Sequence, residues 1–157
     1  MRMVKPAAAP IAISAAAPDD VTAIAGLLRE AELPYEDFAG HLAHFLVARR
    51  EGAVVGAVGF ERHGRNALLR SLVVAPALRG NGLGDQLVRR LAAVARRKGV
   101  ERFYLLTTTA AAFFAGRGFQ RIARRAVPAV IAATQEFNSL CPVSAVCMTR
   151  SLAAAKP

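Results

Sequence analysis

The chain has 157 residues, 54% of them hydrophobic, with eight Phe and no Trp: one domain's length, with material for a single core and too apolar to be disordered. Its 21 Lys and Arg against 11 Asp and Glu give a formal charge of +10, which either steers anionic partners or is an Arg-rich solvated surface. Cys141 and Cys147 form neither a disulfide framework nor a zinc spacing, and no apolar run reaches the roughly 18 residues of a membrane helix, so neither a metal nor a membrane partner is expected.

Residues 1–10 and 152–157 read as flexible tails around one domain over 11–151; Pro6, Pro10 and Ser14 interrupt the faintly signal-like start. A short strand is predicted over 11–14. Pro18, Asp19 and Asp20 open a helix, with Pro at its first position and two acids facing the dipole. Val21, Ile24, Leu27 and Leu28 keep helical spacing until Leu33-Pro34 ends it. Residues 35–42 are a loop or a short helix. Strands follow near 44–50 and over 53–63, joined by a hairpin turn at Glu51-Gly52. Residues 67–75 make the strongest strand, apolar on both faces toward its end, as a central strand is. A loop at 76–81 leads to a helix over 83–98 with Leu83, Leu87, Leu91, Val94 and Ala95 on one face and Gly99 at its end. A strand at 102–108, a short helix at 110–116, a strand at 119–123, a helix at 128–137 and a last strand at 145–151 complete the chain.

The most informative segment is 72–84, where an apolar strand runs into a glycine-rich turn and then an amphipathic helix. A helix N-terminus offers free main-chain N–H groups and a positive dipole end. Glycines let those amides approach a ligand closely, so the segment suits a diphosphate, and Arg79 adds charge. A plain strand-to-helix turn would use the same glycines. The segment is neither a Walker loop nor G-x-G-x-x-G. The form Arg79-x-x-Gly82-x-Gly84, after Val74-x-Pro76, resembles the coenzyme A pyrophosphate loop of the GNAT superfamily. The opening from Ile11 to Leu28, and the late run from Tyr104 to Phe119 with its Gly118-Phe119 turn, resemble the same family, so the likeness covers 11–151. The tail at 127–148 and Leu105-Leu106-Thr107-Thr108-Thr109 are similar to the arsenic-resistance N-acetyltransferases, one branch of which acetylates an arsenical, glutamate-like antibiotic.

This resemblance implies an α/β (α+β) fold: a single mixed, mostly antiparallel sheet of six to seven strands with helices on both faces. It implies a bacterial, cytoplasmic N-acetyltransferase that uses acetyl-CoA as co-substrate and no metal. The acceptor would be the primary amine of a small molecule, amino-acid-like or an arsenical antibiotic. The alternative is a coenzyme-A-binding regulatory module with little catalysis. No nucleic-acid partner is expected, because the aromatic pairs Phe103-Tyr104 and Phe113-Phe114 sit in core-like runs. A homodimer through a sheet edge or the C-terminal segment is compatible with the sequence.

Carried onto this chain, Leu72, Val73 and Val74 would offer main chain to the pantetheine arm. Arg79, Gly80, Asn81, Gly82, Leu83 and Gly84 would hold the diphosphate. Thr107 stands where the family often has an Asn on the pantetheine, and Phe113 and Phe114 would flank the carrier. Phe114 takes the place of a Tyr that often protonates the leaving thiolate. Related antibiotic acetyltransferases carry a Glu on the central strand; residues 68–71 hold no carboxylate, so Glu61 is the candidate base. His63, His41 and His44 are alternatives as bases or substrate contacts. Glu61 could equally be an ion-pair partner of Arg62 or Arg70. Arg70 is a candidate clamp for a substrate carboxylate or oxyanion, or else pairs with Glu61 across the hairpin. Tyr35 and Glu36 are candidates for the acceptor cleft or are ordinary loop residues. The two thiols read as inert, with arsenic binding the reading the resemblance would add.

Overall fold

Glu51 and Gly52 turn the chain back on itself with φ of 50° and 81°, the left-handed pair that a two-residue hairpin needs. The turn joins β2 (Phe45–Arg50) to β3 (Ala53–His63), and a second turn, with Gly64 at φ 67°, joins β3 to β4 (Asn66–Val74). β1 (Ala12–Ala15) adds antiparallel to β2. After β4 the chain crosses over through α2 (Leu83–Arg97) and returns as β5 (Arg102–Thr107), parallel to β4. β7 (Val146–Ser151) pairs antiparallel with β5, and β6 (Gln120–Arg121) edges β7. The result is one seven-stranded sheet in the order β1-β2-β3-β4-β5-β7-β6. A computed structural model describes residues 9–153; the predicted tails at 1–8 and 154–157 lie outside the described residues.

Alternation along the strands divides the apolar residues between two faces. On one face Phe60, Leu69, Phe103 and Met148 pack under Leu87 and Leu91 of α2 and under α3 (Ala111–Ala115). On the other, Phe45, Val47 and Ala57 pack under Ile24 and Leu28 of α1 (Val21–Glu30), while Leu68, Tyr104 and Cys147 meet Ile131 of α4 (Ala129–Ala132). Each fully buried large side chain stabilises the fold by about 1.5–3 kcal/mol. Gly59 is required for this packing: a Cβ there would stand 2.2 Å from the Phe45 ring.

Three expectations change. The helix expected over 128–137 breaks after Ala132 and resumes as one wide turn over Glu136–Leu140. The Thr134 hydroxyl donates to the Ile131 carbonyl at 2.7 Å, taking the acceptor that a continuing helix would offer to residue 135. The strand expected over 119–123 shrinks to Gln120–Arg121. Leu152, assigned to the C-terminal tail, is a core residue, 1% exposed, and its N–H donates to the Glu101 carbonyl at 2.8 Å.

Candidate active site

β4 and β5 part company early. They pair only from Asn66 to Leu68 with Arg102 to Tyr104; beyond that, β5 continues along β7 alone. The edge of β4 that faces β5 therefore has no strand partner from Leu69 onward. The gap holds a cavity of about 500 Å³. Its walls come from β4 (Arg70 to Val74), from the end of β5 with Thr107, from Phe114 of α3, from the loop after α1 with Leu33 and Pro34, and from Glu136, Cys141 and Pro142.

Inside this stretch β4 carries a bulge. Gly59 pairs with Arg70 and Ala57 with Val73, so Ser71 and Leu72 together oppose Val58. Ser71 holds φ of 61°, a left-handed conformation that costs a non-glycine residue roughly 1–2 kcal/mol. Bulges re-aim the backbone, and strained residues cluster where a site needs them. Period-2 reading of the sequence gave no sign of it.

The end of β4 leads into the glycine turn. Arg79, Gly80, Asn81 and Gly82 are exposed, and both Gly80 and Gly82 have φ of 83°. Nothing lies within 4 Å of where a Cβ would stand on either, so their side is open to a ligand. α2 begins without a side-chain cap, leaving the N–H groups of its first turn available. Arg79 Nε donates to the Val74 carbonyl at 3.0 Å, tying the turn to the strand. Asp85, an anion in that first turn, is neutralised by Arg117 at 3.1 Å and Arg89 at 3.0 Å. Leu83 is buried in the core, so only its backbone is available to a ligand. Phe113 packs beneath Gly84 and under the Arg117 guanidinium, 3.8 Å from its ring centroid, and not in the cavity wall. Phe114 does line the cavity, 5% exposed, with no hydroxyl to offer. Thr107 lines it too; its Oγ1 accepts the Ala110 N–H at 2.9 Å, which leaves its own O–H to donate.

The acceptor side differs from expectation. Arg70 is 3% exposed, and its fork is already filled. Nη1 donates to Asp37 at 2.7 Å and to Glu61 at 2.6 Å, Nη2 donates to the second Asp37 oxygen, and Nε donates to Ser71 Oγ at 3.0 Å. Burial alone would lower the guanidinium's pKa; the hydrogen bonds to Asp37 and Glu61 and the charges of Glu136 and Asp37 together raise it. Arg70 thus stands as the centre of an ionic cluster and not as a free clamp. Glu61 is outside the cavity wall, held between Arg70 and two histidines, His41 and His63, each 3.5 Å away. Tyr35 stacks against Arg29 at 5.0 Å and Glu36 is exposed; the wall comes from the five residues before them. His44 stacks on Phe60 at 4.7 Å on the α2 face of the sheet and touches Lys98.

Sequence reasoning missed Asp37 and Glu136. Asp37 is the bidentate partner of Arg70. Glu136, 4% exposed, lines the cavity 3.5 Å from Arg70 Nε. Burial pushes its carboxyl up to about 7, against the pull of Arg70 and with the help of Asp37 and Glu61. Cys141, beside it, is pushed to about 11 by burial and by Glu136, so its thiol stays protonated. Among the described residues no group of three or more His, Cys, Asp or Glu could hold a metal ion, and no helix is long and apolar enough to cross a membrane.

The sheet is thus opened between parallel neighbours, with an exposed glycine turn at the end of the central strand. The model of the acetyltransferase (GNAT) domain matches residues 41–121, and the chain belongs to that family. It is 30% identical over 99 residues to an amino-acid acetyltransferase of Pseudomonas fluorescens, covering 62% of this chain and 23% of that protein. It is 34% identical over 77 residues to an amino-acid acetyltransferase of Aeromonas salmonicida, covering 48% of this chain and 17% of that one. The chain therefore spans about a fifth of the length of these relatives. Among solved structures, N-acetylglutamate synthase from Neisseria gonorrhoeae, complexed with coenzyme A and N-acetyl-glutamate, matches with a TM-score of 0.81 at 23% identity, covering 93% of this chain and 36% of that one. Rv2747 from Mycobacterium tuberculosis, also in complex with CoA, matches with a TM-score of 0.76 at 26% identity, covering 90% and 99%.

Proposed function

We propose that the protein transfers the acetyl group of acetyl-CoA to the primary amine of a small, amino-acid-like acceptor. One observation carries this reading: the open glycine turn at the head of α2 borders, through Arg79 and Val74, a cavity along an unpaired strand edge. The residues present fit the carrier. Main-chain N–H groups of 80–84 suit the two phosphates. The free edge at 72–74 suits the amide-bearing pantetheine arm, which can bond to it as an added strand would. A main-chain N–H near the bulge at Ser71 would polarise the thioester carbonyl, while the walls hold amine and carbonyl carbon together.

The amino-acid class is supported by the curated relatives, which carry that name. A glutamate-like arsenical, the finer reading drawn from the tail at 127–148, falls within the same class. A second reading, a coenzyme-A-binding regulatory module, is favoured by Phe114, which puts no acid beside the leaving sulfur.

The test joins calorimetry with acetyl-CoA to an acceptor screen over L-glutamate and its phosphinic and arsinic analogues, following free CoA. The proposal expects saturable binding and, with at least one acceptor, CoA release well above hydrolysis. Absence of binding would overturn it; binding without release for any amine would favour the regulatory module.

A further inference from the structure

We propose that Glu136 takes the proton that the acceptor's ammonium group must lose before its nitrogen can attack. The inference rests on the acetyltransferase reading above. Three carboxylates surround one guanidinium, and they are not equivalent. Asp37 spends both oxygens on Arg70, and Glu61 takes a 2.6 Å bond from it and sits outside the cavity. Glu136 makes a looser approach to Arg70 Nε, at 3.5 Å. It is also the carboxylate of the three that forms part of the cavity wall.

The groups facing Glu136 come from every element around it. Arg70 projects from β4, with Asp37 from the loop after α1 and Glu61 from β3 bound to it, and Cys141 follows on Glu136's own segment. His41 and His63 stand against Glu61, and Arg124 lies toward Cys141; Arg70 is the guanidinium that three carboxylates share, and a proton on one of them relieves that crowding. That proton rests most easily on the carboxylate with the weakest claim on Arg70. Cys141 does not compete, since its thiol is already protonated.

Protons and bonds balance as follows. One proton of the acceptor's ammonium passes to the Glu136 carboxylate. The freed lone pair forms the C–N bond to the thioester carbon, and the C–S bond breaks. The second nitrogen proton goes to the departing sulfur. Glu136 then returns its proton to water as the products leave.

The experiment measures kcat/KM across the neutral pH range for the wild type, Glu136→Gln and Glu136→Asp, with acetyl-CoA and with L-glutamate and its phosphinic analogue as acceptors. In parallel, carbon NMR of carboxyl-labelled protein follows the resonance that disappears in Glu136→Gln. The wild type should show an acidic limb inflecting near 7, matched by the NMR titration. Glu136→Gln should lose the limb and about 10²–10⁴-fold in rate while acetyl-CoA affinity holds; Glu136→Asp should regain part of the rate. An unchanged limb in Glu136→Gln, or a carboxyl titrating in the ordinary range, overturns the proposal. If neither acceptor turns over while acetyl-CoA binds, the acceptor class has failed instead. The NMR titration then decides Glu136 by itself: near 7 supports the role, the ordinary range removes it.

Discussion

The glycine turn at 79–84 and the ionic cluster around Arg70 border the same cavity but are made of different material. The turn uses main-chain N–H groups, left-handed glycines and a helix end, all from one contiguous stretch, and it is exposed. The cluster uses charged side chains from four separated segments, at Asp37, Glu61, Arg70 and Glu136, and its centre is buried. A backbone site tolerates changes of side chain and depends on conformation. A buried ionic site does the reverse: each member is held by the others, and removing one leaves charge without a partner in a medium that screens little.

That contrast is easiest to break at Arg70. Arg70→Ala leaves Glu61 buried and Asp37 half-buried with their main partner gone, and should lower unfolding free energy by about 3–5 kcal/mol in urea titration. Arg70→Lys should recover little, since an ammonium cannot reproduce the fork. A loss below about 1 kcal/mol, the worth of an exposed pair, would mean the cluster is not what holds the acceptor wall.

Glu136 sharpens the comparison, because here ionisation works against the fold. Its folded pKa of about 7 lies above the ordinary 4.5. A group raised in the folded state contributes stability that is present below its unfolded pKa and lost as pH rises through the folded one. The loss therefore falls between about 4.5 and 7. Glu136→Gln should match the wild type at or below about pH 4 and exceed it at pH 8 by on the order of 1–3 kcal/mol, read as a higher melting temperature. Asp37 has the opposite sign: burial raises its pKa, but the hydrogen bond and charge of Arg70 outweigh it, so its contribution is present at neutral pH and fades on acidification.

What could be read in advance follows the same division. The glycine turn was legible because its determinants are local: Arg79, Gly82 and Gly84 stand at fixed spacing between a strand and a helix. The hairpin at Glu51-Gly52, the ends of β3 and the glycine cap at Gly99 were legible for the same reason. Arg70 was legible as an oddity in an apolar strand, and its pairing with Glu61 as one of two outcomes. Asp37 and Glu136 were not, because 33 residues separate Asp37 from Arg70 and the cluster closes only in the folded chain. Glu136 falls inside the helix expected over 128–137, and the break after Ala132 decides its setting. The bulge at Ser71 left no trace in the pattern, since a serine near the middle of a strand reads as polar alternation.

A smaller effect separates conformation from side chain at the turn itself. A methyl group on Gly82 meets open space, yet φ of 83° is costly for any residue with a Cβ. Gly82→Ala should cost about 1 kcal/mol of stability and weaken acetyl-CoA binding by up to about tenfold in calorimetry, while the acceptor's KM stays put. A matching rise in acceptor KM would mean that the two ends of the cavity are coupled.

The smallest expected change is at Phe114, where the side chain lines the cavity and packs edge-on against Phe113 and Phe119, with ring centroids 5.1 and 5.3 Å away. Phe114→Tyr adds a hydroxyl to the cavity wall. A thiol with pKa near 8.5 leaves tolerably as the thiolate, so an added acid removes little of the barrier unless departure is the slow step. The expected change in kcat is below about tenfold, or roughly 1.4 kcal/mol. A rise of a hundredfold or more would place thiolate departure in control of the rate. The natural Phe114 would then be a brake on transfer, and the coenzyme-A-binding module with little catalysis would become the better description of this chain.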